Sequence, residues 1–152
     1  MAGVNAVLAG TRSMIKLPKK ILSRQAEITH EYLAEVDKHL ADILSGRIDR
    51  MYHIKDFASI LFIHPVHLSN TIKLTTGHSP CYFFEEKLMN EARRLLQEGE
   101  VNIATIAERL TFDTSNFTKF FKRFEGLTPS AYRQQFYAQA NRRAQEDHAL
   151  TA

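Results

Sequence analysis

Apolar side chains recur along the chain with the spacing of short amphipathic helices, and the same series occurs twice. In each series apolar residues stand at i, i+3, i+4 and i+7, which is one face of an α-helix. The first series is Ile54, Phe57, Ala58 and Leu61. The second series, 49 positions later and without a gap, is Ile103, Ile106, Ala107 and Leu110. Because a repeat decides architecture, the chain is predicted to hold a pair of like modules.

A second helix is predicted to follow the first in each copy, after a break of about four residues. In the first copy Pro65 is well placed at the first helical position, and in the second Asp113 is a good N-cap. Each second helix is predicted to end before a glycine, Gly77 or Gly126. Each copy therefore predicts a helix, a tight turn and another helix, which is the helix-turn-helix arrangement.

The outward face of each second helix carries the candidate chemistry. Leu68 and Ile72 turn inward in the first of these helices, and their counterparts Phe117 and Phe121 do so in the second. The outward positions of the first helix are Val66, Ser69, Asn70 and Lys73. Those of the second are Ser115, Thr118, Lys119 and Lys122, with Arg123 beside them. One such face alone is more often a solvated surface, but two in a repeated frame favour contact with base edges and phosphates.

A longer amphipathic helix is predicted to connect the two modules, because the stretch from Cys81 to Gln97 has a helical stripe and no glycine or proline. Such a helix spans about 25 Å. With turns at each end it can hold two recognition helices about one DNA turn, roughly 34 Å, apart. Another amphipathic helix is predicted upstream, ending near Gly46, and a polar terminal helix that frays is predicted after Arg133.

Composition and charge fit a DNA-binding domain without proving one. The 152 residues, 44% of them hydrophobic, are enough for one ordinary globular domain. Residues 1–26 carry five basic side chains and no acid, which fits either a polyanion partner or a solvated tail, and residues 1–20 are predicted to be mobile. A lone cysteine, Cys81, excludes an internal disulfide and favours the cytoplasm, and no apolar run is long enough to span a membrane.

Enzymatic signatures are absent from the sequence. His64 and His67 stand at i, i+3, but no third ligand follows at a metal-binding spacing. Glu85 and Glu86 fall on the predicted linker helix and are interpreted as solvent-facing. No Ser-His-Asp set, phosphate-binding loop or glycine-rich dinucleotide motif is present. We therefore expect no catalytic residue, no metal and no cofactor.

The residues from Phe120 to Arg133, Phe-Phe-Lys-Arg-Phe followed by Gly-Leu-Thr-Pro and Tyr-Arg, resemble the DNA-binding domain of the AraC/XylS family of bacterial transcription regulators. The likeness covers about residues 28–135. Because only about 26 residues precede the first helix, the chain resembles the stand-alone, MarA-like subset. It implies an all-α, homeodomain-like fold of seven helices, with two recognition helices in successive major-groove segments. The implied division is a basic arm 1–26, a domain 27–135 (module one 27–78, linker helix 80–97, module two 101–135) and a polar tail 136–152.

The resemblance also assigns contacts position by position. The implied base-contacting residues are Val66, Ser69, Asn70, Thr114, Ser115 and Lys119. Asn70 can pair with adenine, Lys119 can reach guanine, and Val66 can touch a thymine methyl. Phosphate contacts are expected from Lys73, Thr118, Lys122 and Arg123. Plain surface charge is the alternative interpretation of Lys122 and Arg123.

Three positions depart from the family pattern. Phe62 and Thr111 stand in the turns where the family usually has glycine, so we expect either another turn geometry or a small shift of the modules. His64 replaces the usual Ser or Asp cap, which is expected to weaken the start of the first recognition helix. The second turn is one residue shorter than in most members.

The expected partner is double-stranded DNA, with RNA polymerase as a further partner, in the cytoplasm at the bacterial nucleoid. About 26 residues precede the first helix, too few to enclose a small ligand, so no small-molecule effector site is expected. The alternative is a protein-interaction module that retains the fold but binds DNA weakly or not at all. Salt discriminates the two, because phosphate contacts weaken steeply as salt rises.

Overall fold

The computed structural model describes residues 19–151, and within them seven α-helices follow one another without a β-strand. The helices are α1 Lys19–Leu44, α2 Ile54–Ile60, α3 Pro65–Thr76, α4 Pro80–Glu98, α5 Ile103–Arg109, α6 Thr114–Glu125 and α7 Pro129–Thr151. The predicted all-α, seven-helix fold is confirmed. Residues 1–18, most of the predicted basic arm and of its predicted mobile part, lie outside the described residues.

The repeat seen in the sequence is also a repeat of the backbone. Helices α2 and α3 begin and end 49 positions before α5 and α6. The turn in each module closes with the same hydrogen bond: Ile63 N–H donates to the Ala58 carbonyl at 2.9 Å, and Phe112 N–H donates to the Ala107 carbonyl at 2.8 Å. Gly77 and Gly126 end α3 and α6 in the left-handed conformation, as predicted.

Both turns place a non-glycine residue in the left-handed region, with φ 55° at Phe62 and φ 63° at Thr111. An L-residue pays about 1–2 kcal/mol for this conformation because its Cβ approaches the following carbonyl. The Ile63 and Phe112 hydrogen bonds keep each turn closed regardless. Phe62 and Thr111 therefore accept strain, and the turns do not acquire the different geometry that we considered from the sequence.

Helix α4 is the centre of the fold. It packs against α1 and α3 of module one and against α5, α6 and α7 on the other side. Its buried stripe includes Leu88, Ala92 and Leu96, which belong to one hydrophobic core shared by both modules. Since 19 residues rise about 28 Å as a helix, α4 is a continuous spacer between α3 and α6.

Helix α7 is fastened to the end of α4 by side chains of its first turns. The Arg133 guanidinium donates to the carbonyls of Leu96 at 3.0 Å and Val101 at 2.7 Å. The Tyr137 hydroxyl donates to the Gln97 carbonyl at 2.9 Å. Beyond Tyr137 the helix is almost entirely exposed and continues to Thr151, so the predicted polar tail 136–152 forms the rest of this helix in the described residues.

Candidate nucleic-acid interface

The first predicted recognition helix, α3, begins at a well-defined cap. Pro65 occupies the first turn, and His64 Nδ1 accepts a hydrogen bond from the Val66 N–H at 3.3 Å. His64 therefore performs the role that Ser or Asp has at most N-caps, and the expected weakening at this position is offset by its imidazole. The start of α3, where Val66 stands, is fixed in direction.

Module one holds α3 by its inner face. Leu68, Thr71 and Ile72 are buried, and the hydroxyls of Thr29 and Thr75 are 2.7 Å apart, which ties α3 to α1. The outer face then presents the four residues that the sequence placed there: Val66, Asn70 and Lys73 are exposed and Ser69 is half-buried. Because the inner face is anchored, these side chains are displayed on a rigid helix.

The second predicted recognition helix, α6, is capped by Asp113. The Asp113 carboxylate accepts from the Asn116 N–H at 2.8 Å, and this hydrogen bond to the charged form lowers the pKa of Asp113. Phe117 and Phe121 are completely buried. The outer face presents the predicted set, with Thr114, Ser115, Lys119, Lys122 and Arg123 exposed and Thr118 half-buried.

Two of the predicted phosphate-contacting side chains already have partners. The Thr118 hydroxyl donates to the Thr114 carbonyl at 2.8 Å. Arg123 forms an ion pair with Glu85 of α4 at 3.0 Å, and its guanidinium lies 4.7 Å from the centre of the Phe124 ring. Lys119 and Lys122, by contrast, form no ion pair within the described residues.

Sequence reasoning missed two features of this face. Arg93 of α4 pairs with Glu125 of α6 at 2.8 Å and is partly buried, so it fixes α6 against the linker helix. This pair depends on tertiary proximity, and no spacing along the chain reveals it. Asn116 is exposed and lines a shallow groove with Lys119 and Arg123. The helical period alone would have found Asn116, because it stands one turn before Lys119 and two turns before Arg123.

The two outer faces differ in charge. The face of α3 contains one cation, Lys73, whereas that of α6 contains Lys119, Lys122 and Arg123. At the position of α3 that corresponds to Arg123 stands Leu74, a residue that is 72% exposed. A polyanion that contacts both outer faces therefore meets most of the protein's positive charge there on α6.

Within residues 19–151, no helix is long and apolar enough to cross a membrane. In the same part of the chain, no cluster of three or more His, Cys, Asp or Glu side chains is placed to hold a metal ion.

A family model described as a helix-turn-helix domain matches residues 57–135. The HTH-type transcriptional regulator YobQ of Bacillus subtilis is 29% identical over 133 residues, 86% of this chain and 52% of the relative. The regulatory protein PocR of Salmonella typhimurium is 35% identical over 104 residues, 68% of this chain and 32% of the relative. The chain thus spans about a third to a half of the length of these relatives.

Solved structures give the same fold. The C-terminal domain of AraT, a response regulator from Geobacillus stearothermophilus, has a TM-score of 0.62 and 28% identity, covering 71% of this chain and 84% of that domain. The DNA-binding domain of AdpA, a global transcriptional factor solved with a target DNA, has a TM-score of 0.55 and 20% identity. It covers 66% of this chain and 95% of its own, and at that identity it supports the fold alone.

Proposed function

The chain belongs to the AraC-type family of helix-turn-helix transcriptional regulators, and from that premise we propose that α3 and α6 enter successive major-groove segments on one face of a DNA duplex. The family consists of DNA-binding domains and not of enzymes. The observation that carries the proposal is the repeat itself: two capped helices stand at equivalent places in two like modules, each with a polar outer face. The continuous α4 supports the required spacing between them.

Base contacts are proposed for one group of outer-face residues on each helix. On α3 these are Val66, Ser69 and Asn70, and on α6 they are Thr114, Ser115 and Lys119. Asn70 has the amide that pairs with N6 and N7 of adenine, and Lys119 is an exposed cation that can donate to O6 or N7 of guanine.

Phosphate contacts are proposed for Lys73, Thr118, Lys122 and Arg123. Lys73 and Lys122 are exposed and can meet a phosphate directly. Arg123 can contact a phosphate if it gives up its ion pair with Glu85. Because that ion pair is largely exposed and contributes little stability, its loss costs little. Thr118 donates to phosphate only after its hydroxyl rotates away from the Thr114 carbonyl.

For the whole protein we propose a bacterial transcription regulator that acts as an activator or a repressor at the nucleoid in the cytoplasm, with RNA polymerase as a second partner. Support for this step comes from the HTH-type and regulatory proteins that the chain resembles, including the arabinose operon regulatory protein of Escherichia coli at 27% identity over 128 residues.

A protein-interaction function is the second candidate, and one observation favours it. Ile60 and Phe62, at the end of α2 and in the turn of module one, are apolar and exposed. Exposed apolar groups of this kind are found where proteins associate. The two functions differ in salt dependence, because association through apolar side chains releases no condensed counterions from DNA.

Selection of bound duplexes from a random library, followed by a salt titration on the selected duplex, tests the proposal. Two short elements about one helical turn apart are expected, together with a steep fall in affinity as salt rises. A single element would restrict base reading to one module. No enrichment, and no steep salt dependence on any duplex, would contradict DNA binding and support the protein-interaction function.

A further inference from the structure

Module one exposes apolar side chains where module two exposes polar or charged ones. The exposed apolar residues of α2, its turn and α3 are Ile60 (40% exposed), Phe62 (97%), Val66 (60%) and Leu74 (72%). Their counterparts 49 positions later are Arg109, Thr111, Ser115 and Arg123. Since the backbones of the two modules correspond, the fold does not require apolar residues at these sites, and the contrast points to a difference in what each module contacts.

Val66 is the one member of this apolar set that lies among the proposed base-contacting residues. It stands in the first turn of α3, with Asn70 one turn later and Lys73 at the next turn on the same face. Its N–H is held by His64, and valine has one strongly preferred χ1 rotamer in a helix. Val66 therefore presents two methyl groups in a nearly fixed position, with little conformational entropy to lose on contact.

The floor of the major groove offers an apolar side chain few partners. Every base edge presents hydrogen-bond donors and acceptors there, and the only apolar group is the C5 methyl of thymine. A cytosine methylated at C5 carries the same methyl at the same ring position. A valine that becomes buried against an unmethylated cytosine or a guanine on binding would instead remove water from the polar base edges without giving them a hydrogen-bond partner.

Resting on the proposed function, we propose that module one recognises a C5-methylated pyrimidine through Val66, so that its half of the DNA site is defined by a methyl group more than by charge. The outer face of α3 has one cation, Lys73. Apolar contact therefore contributes a larger share of the binding free energy at α3 than at α6. Methylation of cytosine at this position of a site then acts as a regulatory input to module one.

The test removes single methyl groups from the DNA. In the duplex selected from the random library, each thymine is replaced in turn by deoxyuridine, and affinity for the full chain is measured at fixed salt. One replacement in the element bound by module one is expected to weaken binding about fourfold, which corresponds to burial of one methyl group. In a second series the same base pair holds cytosine or 5-methylcytosine, and the methylated duplex is expected to bind about fourfold more tightly.

Val66→Ser is the matched variant, because serine is the residue at the corresponding position of α6. Val66 is exposed, so the variant is expected to keep the wild-type urea midpoint, and it should bind thymine and deoxyuridine duplexes equally. Val66→Ile should keep the methyl effect, and so should Phe62→Gly, which removes a more exposed apolar side chain outside α3. A methyl effect at thymine without one at 5-methylcytosine would contradict the proposed response of module one to cytosine methylation.

Three results would overturn the inference: a module-one element without any C5-methyl effect, a methyl effect that persists in Val66→Ser, or its loss in Phe62→Gly. All three are obtained with a protein that still binds DNA in a salt-dependent manner, so the proposed function survives them. Absence of salt-dependent DNA binding by the wild type contradicts the proposed function first, and this inference with it.

Discussion

The two modules share a backbone and differ in their outer faces. Gly77 and Gly126 end α3 and α6 with the same φ within one degree, 76° and 77°. On the outer faces, however, Val66 corresponds to Ser115, Asn70 to Lys119 and Leu74 to Arg123. Fold and contact chemistry therefore depend on separate residues. Buried and capping positions keep the module, and the outer positions are free to change its ligand.

The largest effect expected from this comparison is on sequence preference, and it lies in module two. Lys119→Ala should relax preference at one base pair of the site, at a cost of ~1–3 kcal/mol, because a base-reading donor is lost. The corresponding Asn70→Ala should relax preference at a different base pair, in the other element. Binding to duplexes substituted at each position checks both.

Lys122→Ala is the control for that measurement. Lys122 is a proposed phosphate contact, so its removal should lower the affinity for all DNA sequences alike. It should also reduce the slope of log affinity against log salt concentration by about one. If Lys119→Ala behaved in this uniform way, Lys119 would be a phosphate contact and not a base contact.

The turns provide the next largest effect. Phe62→Gly should stabilise the fold by about 1 kcal/mol, because glycine adopts positive φ without strain. Thr111→Gly should raise the free energy of unfolding by more, about 2 kcal/mol. It also removes a buried hydroxyl that has no hydrogen-bond partner among the described residues. Urea unfolding measures both values. Equal gains would show that the Thr111 hydroxyl costs the folded protein nothing.

Exchanging one pair of residues tests whether the outer faces are interchangeable. Leu74→Arg should steepen the slope of log DNA affinity against log salt concentration by about 0.9, because it adds one phosphate contact. Arg123→Leu should reduce this slope by the same amount, because it removes one phosphate contact. The accompanying free energies should be about 1 kcal/mol or less. Arg142→Leu, on the exposed part of α7, controls for net charge. An equal effect of Arg142→Leu would remove the reason to assign Arg123 to phosphate.

The smallest expected effect is a sensitivity to acid that belongs to module one. His39 is buried, and its Nε2 accepts the Tyr52 N–H at 3.0 Å, which requires a neutral ring. Burial lowers the pKa of His39, although Asp42 and Asp56 oppose the shift and Arg50 adds to it. Among the described residues no other histidine is buried.

Because the pKa of His39 is lower in the folded than in the unfolded chain, the unfolded chain binds the proton first as pH falls. Stability should therefore be constant well above pH ~6.5, the unfolded value, and should decrease as pH falls towards the lowered pKa of the folded protein. Urea midpoints between neutral and mildly acidic pH measure this. His39→Gln should flatten the profile, and an unchanged profile would assign the acid sensitivity to other groups.

Much of the fold could be predicted because its signals are local and repeated. The apolar periods gave α2 and α5, and Gly77, Gly126 and Asp113 gave the helix ends where the structure has them. The linker helix, predicted over 80–97, is observed as Pro80–Glu98. Each of these depends on residues a few positions apart, and the second copy of the pattern supported the first.

What the sequence left open depends on packing or on a partner. Whether Phe62 and Thr111 would accept positive φ depends on how firmly the hydrogen bonds of Ile63 and Phe112 close the turns. The Arg93–Glu125 pair joins residues that only the fold brings together. For the outer-face residues, such as Val66, the structure gives the exposure and the orientation of each side chain. The base that each side chain contacts stays a prediction.

The uninterrupted helix α4 has a consequence for how a binding site is found in a genome. Two short elements at one fixed separation occur far less often by chance than the same elements at any of several separations. Each additional separation that a flexible connection tolerated would add another full set of decoys to the roughly 10⁶–10⁹ competing positions in a genome. If α3 and α6 bind DNA as we propose, α4 excludes those decoys by holding one separation, and it does so with residues outside the proposed set of DNA contacts.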